Sequence, residues 1–231
     1  MLILAIDSSS QSGSVAFIRN GKMIGEFFIN DQLTHSITLM PMLEKLKEIL
    51  DINLSELSAV AVSTGPGSFT GLRIGISSAK AICQALNVPI IGINTLDVLA
   101  HSVPIISNKI ICPILDARKN QVYTASYIFK NNELLKLTDY IATDLNEILD
   151  KFIEDKREVY FIGDGVSVYK NKIIERLGEN ATFAPIFIQY TRASVLAQIA
   201  ECKYIKSEIE NPDYLVPTYI RKPQAEIEHD N

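Results

Sequence analysis

Apolar and polar positions alternate in short blocks from the first residues onward. Residues 2–6 (LILAI) are continuously apolar and stop at Asp7, and the SSSQSG that follows is turn chemistry. Residues 14–18 (SVAFI) and 23–29 (MIGEFFI) read as two more strands. Between them lies Asn20-Gly21, the dipeptide favoured where a two-residue hairpin needs φ > 0 at both central positions. The opening is therefore a predicted three-stranded antiparallel meander. From residue 34 the period lengthens. Leu39, Leu43, Leu46 and Leu50 recur at helical spacing, with Met42 and Ile49 beside them, so residues 34–50 are predicted helical, with Pro41 marking the first turn or a kink. Residues 59–63 (AVAVS) read as a fourth strand, broken by Gly65-Pro66-Gly67. A second helix is expected over about 71–86, with Leu72, Ile76, Ala79, Cys83 and Leu86 on one stripe. A fifth strand over 88–93 and a short helix over 96–102 follow.

This β-β-β-α-β-α-β order excludes a Rossmann start, in which the first strand leads directly to a helix. It matches the ribonuclease-H-like unit that is also the building block of actin-like proteins, an argument from fold analogy. The later pattern mixes the same ingredients. Residues 110–115 and 122–129 are predicted strands joined through Asp116-Ala117-Arg118, and 145–152 is a helix. Residues 159–162 form a strand, and Gly163-Asp164-Gly165 turns into a helix over 166–177. A last helix spans 191–205 with Thr191 as its candidate cap. Residues 212–223 are proline-punctuated and extended, and 224–231 is a polar tail expected to be disordered. The expected architecture is α/β, an actin-like fold with two related lobes, 1–105 and 106–231, with 212–223 a candidate to return to the first lobe.

Composition narrows the chemistry. The 231 residues are 47% hydrophobic and 21% charged with a net charge of −5, a balance that excludes a disordered chain and disfavours unaided grip on a nucleic-acid backbone. Cys83, Cys112 and Cys202 are far apart and form no C-x-x-C pair, so all three are read as small buried hydrophobes. The first residues lack the basic region of a signal peptide, and no apolar run is long enough to cross a bilayer. The expectation is a cytoplasmic protein with no membrane association.

Several constellations could carry chemistry. Asp7-Ser8-Ser9-Ser10 leaves the first strand at a tight turn, where a carboxylate, hydroxyls and N–H groups could face a metal and phosphates, or could simply build the turn. Gly65–Gly71 is neither a Walker loop nor G-x-G-x-x-G, and the plainer reading is a strand-to-helix crossing capped by Thr70. Gly71, Gly75 and Ala79 recur every fourth residue, which suits close approach of another helix. The apolar residues of the two helices (Leu39, Met42, Leu43, Leu46, Leu72, Ile76) serve either the protein's own core or a docking partner. The fourth strand ends Val62-Ser63-Thr64 and offers no acid for a two-metal nuclease. His35, His101 and His229 form no ligand pair at helical spacing, and no G-x-S-x-G elbow supports a peptidase.

LILAIDSSS, His35 with Pro41, STGPGSFTGLRIGISSAK running to IIGINTLDVLA, LDARKNQVYTASY, the GDG turn and Pro217-Thr218-Tyr219-Ile220-Arg221 together resemble the bacterial TsaB family, also called YeaZ. The likeness spans nearly the whole chain, is most specific over residues 65–80, and draws little from 130–158. It implies a non-catalytic partner that binds and activates a TsaD-type enzyme in forming N6-threonylcarbamoyladenosine at position 37 of ANN-decoding tRNAs. It also implies a TsaE-type ATPase in the assembly, a homodimer when alone, and contact with tRNA only through the complex. Catalytic relatives of the TsaD type carry an H-x-x-x-H metal pair where this chain has Thr95 and Leu99, and Leu cannot ligate. On this resemblance the helix residues Leu39, Met42, Leu43, Leu46, Gly71, Leu72, Gly75, Ile76 and Ala79 are the expected partner interface, and Gly75→Arg is expected to abolish the complex without unfolding the chain. No metal or cofactor is required. Weak or partner-dependent ATP or ADP with magnesium would use Asp7, Ser8, Ser9, Ser10, Gly163, Asp164 and Gly165, and the alternative function is an ATP-hydrolysing or phosphotransfer enzyme of the actin-like group.

Overall fold

The computed structural model describes residues 1–31 and 35–220. Thr34, Arg221, the end of the 212–223 segment, the 224–231 tail and His229 lie outside the described residues. The chain divides into two compact units, the first formed by Met1–Val98 with Thr191–Thr218 and the second by Leu99–Tyr190 with Tyr219–Asn231.

The first unit is built on a five-stranded sheet. Strands β1 (Leu2–Asp7), β2 (Gly13–Arg19) and β3 (Lys22–Ile29) form the antiparallel meander, and Asn20 and Gly21 both take positive φ in the turn between β2 and β3. Helix α1 (His35–Ile49) leads to β4 (Ala59–Gly65), α2 (Phe69–Leu86) leads to β5 (Ile90–Asn94), and a short helix α3 (Thr95–His101) follows. The sheet order is β3-β2-β1-β4-β5, with β4 and β5 parallel to β1. Pro41 sits in the middle of α1 rather than in its first turn. It lies on the exposed side, where water can serve the carbonyl freed by its missing N–H.

The two faces of this sheet are covered differently because successive strand residues point to opposite sides. Leu4, Ile6, Val15 and Phe17 face the large residues of α1 and α2. Ala5, Ala16, Ala59 and Ala61 line the other face and admit α6 (Ala193–Ile205) through its own Ala193, Ala197 and Ala200. Small residues on both sides allow a helix to pack with its backbone close to the sheet. The late helix therefore completes the first core, although sequence order placed it beyond a boundary near 105. The segment after α6 stays with the same unit. Glu210 pairs with Ile90, and the Thr218 N–H donates to the Thr64 carbonyl at 2.7 Å.

The second unit repeats the plan with β6 (Ile110–Asp116), β7 (Gln121–Thr124), β10 (Ile141–Asp144), β11 (Val159–Ile162) and β12 (Ala181–Phe183), in the order β10-β7-β6-β11-β12. A hairpin of β8 (Tyr127–Lys130) and β9 (Glu133–Lys136) is attached to β6. The apolar run 122–129 is thus two strands interrupted at Ala125-Ser126. Strands β9, β10 and β12 leave no signal in the sequence, because each is only three or four residues long and too short to show a period. Helices α4 (Leu145–Glu154) and α5 (Gly165–Leu177) bury Leu145, Ile148, Leu149, Phe152, Val166, Tyr169 and Ile173 against the strands. The two units share one strand order, as the two-lobed actin-like fold requires. Cys83 and Cys112 are buried but Cys202 is exposed, because the inward face of α6 is already filled by Ala197, Ala200 and Glu201.

Candidate functional site

The end of β1 is where the first unit concentrates its buried polar groups. Parallel pairing of β1 with β4 aligns Ile6 with Val62, which brings Ser63 alongside Asp7. Ser63 Oγ donates to Asp7 Oδ2, and Thr191 Oγ1 donates to Oδ1 at 2.7 Å. The Ser9 N–H reaches Oδ1 at 3.3 Å, and Ser9 Oγ lies 3.1–3.2 Å from both oxygens. Burial pushes the Asp7 pKa up, and these hydrogen bonds oppose the shift without reversing it. Ser8 Oγ donates to the Gly71 carbonyl at 2.8 Å, while Ser10 Oγ pairs with Ser12 Oγ at 2.9 Å. His35 Nε2 lies 2.7 Å from the Ser10 carbonyl.

These hydroxyls are engaged within the unit, and Asp7, Ser8, Ser9 and Ser10 are all buried. A magnesium ion demands octahedral oxygen ligands and keeps several waters. The groups around Asp7 are instead donors aimed at its carboxylate, so the residues as placed do not fit that ion. Thr191 acts here as a buried donor to Asp7 and not as a cap, since Arg192 occupies the N-cap position of α6. The end of α6 is served from β3. Glu26 accepts from Ser194 N–H and Ser194 Oγ, both at 3.0 Å, and pairs with Arg192 at 2.7 Å.

The residues assigned to a docking face lie in the core of the first unit. Leu39, Met42, Leu43, Leu46, Ile76 and Ala79 are at most 6% exposed and pack with the sheet, and Leu72 is buried beside Gly65 of β4. A Cβ at Gly71 would run into the Ser8 carbonyl oxygen, and one at Gly75 into Ser8 Oγ. The helix glycines thus accommodate the Ser8 turn of their own unit, and Gly75→Arg would disturb the monomer itself. Ser68, not Thr70, caps α2 by accepting from the Gly71 N–H. The outward side of the two helices instead carries Ile37, Met40, Pro41, Glu44, Lys45, Glu48 and Ile49 from α1, and Phe69, Arg73, Ser77, Ala81, Gln84 and Ala85 from α2. The most apolar stripe of each helix is the inward one, because a sheet-covering helix spends its largest side chains on the core.

In the second unit the Gly163-Asp164-Gly165 turn lies against β6. Gly163 has φ +112°, and a Cβ there would meet the Ile114 carbonyl. Asp164 Oδ1 accepts from the Asp116 N–H at 3.1 Å. Burial, reinforced by the nearby Asp116 charge, raises the Asp164 pKa to about 6. Asp116 Oδ1 accepts from the Tyr169 hydroxyl at 2.8 Å and the Arg118 N–H at 2.9 Å, and burial together with that carboxylate lifts the Tyr169 pKa to about 12. Asp116-Ala117-Arg118, the polar junction after β6, therefore anchors the turn. The sequence showed the acidic residues but not their partners, since Ser63, Tyr169 and Thr191 are ordinary residues far from them along the chain.

At the remaining position of interest, Thr95 and Leu99 on α3 are both fully buried. Among the described residues no group of three His, Cys, Asp or Glu side chains could hold a metal ion, and no helix is long and apolar enough to cross a membrane.

Comparison with known proteins adds the lineage. The family model described as TsaD, tRNA N6-adenosine threonylcarbamoyltransferase, matches residues 25–229. The Bacillus subtilis tRNA threonylcarbamoyladenosine biosynthesis protein TsaB is 34% identical over 226 residues, covering 98% of this chain and 96% of its own. A Pseudomonas aeruginosa structure described as having similarity to the peptidase YeaZ superposes with a TM-score of 0.81 at 23% identity, over 95% of this chain and 99% of that one. The activator of 2-hydroxyisocaproyl-CoA dehydratase from Clostridium difficile, solved with bound ADPNP, gives a TM-score of 0.51 at 12% identity, over 91% and 99% of the two chains, a likeness of fold alone.

Proposed function

The chain belongs to the TsaB family of tRNA threonylcarbamoyladenosine biosynthesis proteins, and from that premise we propose that it is the non-catalytic partner that binds and activates the TsaD-type enzyme forming N6-threonylcarbamoyladenosine at position 37 of ANN-decoding tRNAs. The observation that carries this reading is the pair Thr95 and Leu99. Both are fully buried, and they stand where the resemblance places the metal-binding histidines of catalytic relatives. Leu has no ligating atom, and Thr is a poor ligand for a transition metal. The peptidase reading lacks support, since the hydroxyls of Ser8 and Ser9 are buried and donate to the Gly71 carbonyl and the Asp7 carboxylate of their own turn.

In this reading the partner docks on the outward side of α1 and α2, where Ile37 and Met40 are 63% and 46% exposed, and a second copy of the chain takes that place when the enzyme is absent. The TsaE-type ATPase joins the assembled pair. The net charge of −5 leaves the phosphate contacts of tRNA to the partner, in the cytoplasm. Nucleotide is not required, and since the groups around Asp7 as placed do not fit magnesium, ATP or ADP with that ion would bind only in the complex, after the serine turn rearranges. Co-purification with the TsaD-type enzyme, followed by assay of tRNA modification with and without this chain, tests the proposal. Modification that needs the chain although the chain alone yields none is the expected result. Full modification without it, or threonylcarbamoyl transfer by the isolated chain, would overturn it.

A further inference from the structure

A cavity of about 190 Å³ opens in the second unit, away from the Asp116–Asp164 cluster. Its walls are mostly apolar, with Thr124, Ser126 and Thr138 adding hydroxyl-bearing side chains. Ile110 comes from β6, Ile148 and Phe152 from α4, and Ile141 from β10. The first three are nearly buried and Ile141 is partly exposed, so the cavity is open on one side. At about 30 Å³ per water, the space would hold about six waters, or a fragment with a similar number of non-hydrogen atoms.

Its mouth is charged. Lys151 and Arg157 stand there with Asp155, and among the described residues neither cation enters a salt bridge. The end of α4 fixes the backbone path from which Arg157 projects. Lys156 takes φ +49°, its N–H donates to the Ile153 carbonyl at 3.1 Å, and the Arg157 N–H donates to the Phe152 carbonyl at 3.0 Å. These two bonds make the Schellman closure of a helix. They occupy carbonyls that would otherwise present the negative end of the helix to the mouth. Two cations against one carboxylate leave the entrance net positive.

We propose that this cavity binds a small amphiphilic carboxylate, with its apolar body against Ile148 and Phe152 and its carboxylate between Lys151 and Arg157. An apolar cleft with a few convergent polar groups is the usual form of a small-molecule site. The charge at its mouth selects an acid over its neutral counterpart. Hexanoate is a suitable probe, with hexanamide as the uncharged control. Titration of the full chain, followed by methyl NMR at Ile110, Ile141 and Ile148, should move these resonances saturably at millimolar hexanoate. The acid should bind roughly three- to tenfold more tightly than the amide at low salt, and the difference should shrink as salt rises. The double variant Lys151→Gln, Arg157→Gln alters two exposed side chains and should bring the two ligands to within about twofold of each other, given what exposed charges contribute. Unmoved methyl resonances would overturn the site. Equal binding of acid and amide by the unaltered chain, or a preference that survives the double variant, would overturn the assignment of its charge.

Discussion

Asp7 and Asp164 show how one residue type acquires different properties from its surroundings. Asp7 meets hydroxyls and an N–H on all sides, whereas Asp164 has only backbone N–H donors, from Asp116 and Gly165, and a like charge nearby. Both pKa values rise because burial disfavours the charged form more than these hydrogen bonds favour it. For Asp164 the folded value is about 6 against 3.8 for an unperturbed group. The folded state therefore keeps a proton that the unfolded state releases, and stability declines as pH rises through that window. The interval of about two pKa units corresponds to roughly 3 kcal/mol at most. Asp164→Asn keeps an acceptor for the Asp116 N–H and removes the charge. It should be neutral near pH 4 and stabilising by about 1–3 kcal/mol above pH 7, as read from urea melts at the two pH values. Gly75 gives a second test at this scale. Gly75→Ala would raise helix propensity on paper, but its methyl would meet Ser8 Oγ. The expected outcome is a loss of about 1–3 kcal/mol in the same melts, where an exposed helical glycine would show a gain.

Among the elements, α6 is the most informative. Its sequence shows an apolar segment but says nothing of which sheet it covers. It belongs to the first unit because the alanine-lined face of that sheet and its own alanines permit a close approach. Its N-terminus is capped by Glu26 from β3, 168 residues before Ser194. Removing that carboxylate strands the Ser194 N–H and the Arg192 guanidinium together. Glu26→Ala should therefore cost about 2–3 kcal/mol, while Glu26→Gln, which retains an acceptor, should cost less; thermal denaturation of the two variants separates these outcomes. The same lesson holds for α1 and α2. Their inward stripes were legible from the 3.6-residue period, but a period cannot tell a core face from a docking face when both are apolar.

For the molecule as a whole, the docking proposal becomes a contrast between two kinds of substitution. Met40→Glu combined with Ala81→Arg changes exposed positions on α1 and α2 and should weaken binding to the TsaD-type partner by more than about tenfold, as charges set into an interface core do. The variant's own melting temperature should stay within a few degrees of the unaltered chain. Gly75→Arg should instead lower the melting temperature of the isolated chain. Size-exclusion chromatography with the partner, paired with thermal denaturation of each variant alone, distinguishes the two. Unchanged complex formation by Met40→Glu, Ala81→Arg would place the interface elsewhere.

The strand and helix order of the first 102 residues, the hairpin at Asn20-Gly21 and the actin-like class were determined by the sequence alone, because they rest on local periodicity and turn chemistry. So was the identity of Thr95 and Leu99, neither of them a good transition-metal ligand, which is a matter of residue type. Tertiary structure decided the rest. It turned the serine loop inward onto Asp7 and Gly71, set Thr191 beside Asp7, joined α6 to the first sheet, and made Asp116 the anchor of the GDG turn. Each of these depends on which distant groups fill the space around a residue. That space is set by packing among segments far apart in the chain, which no local pattern records.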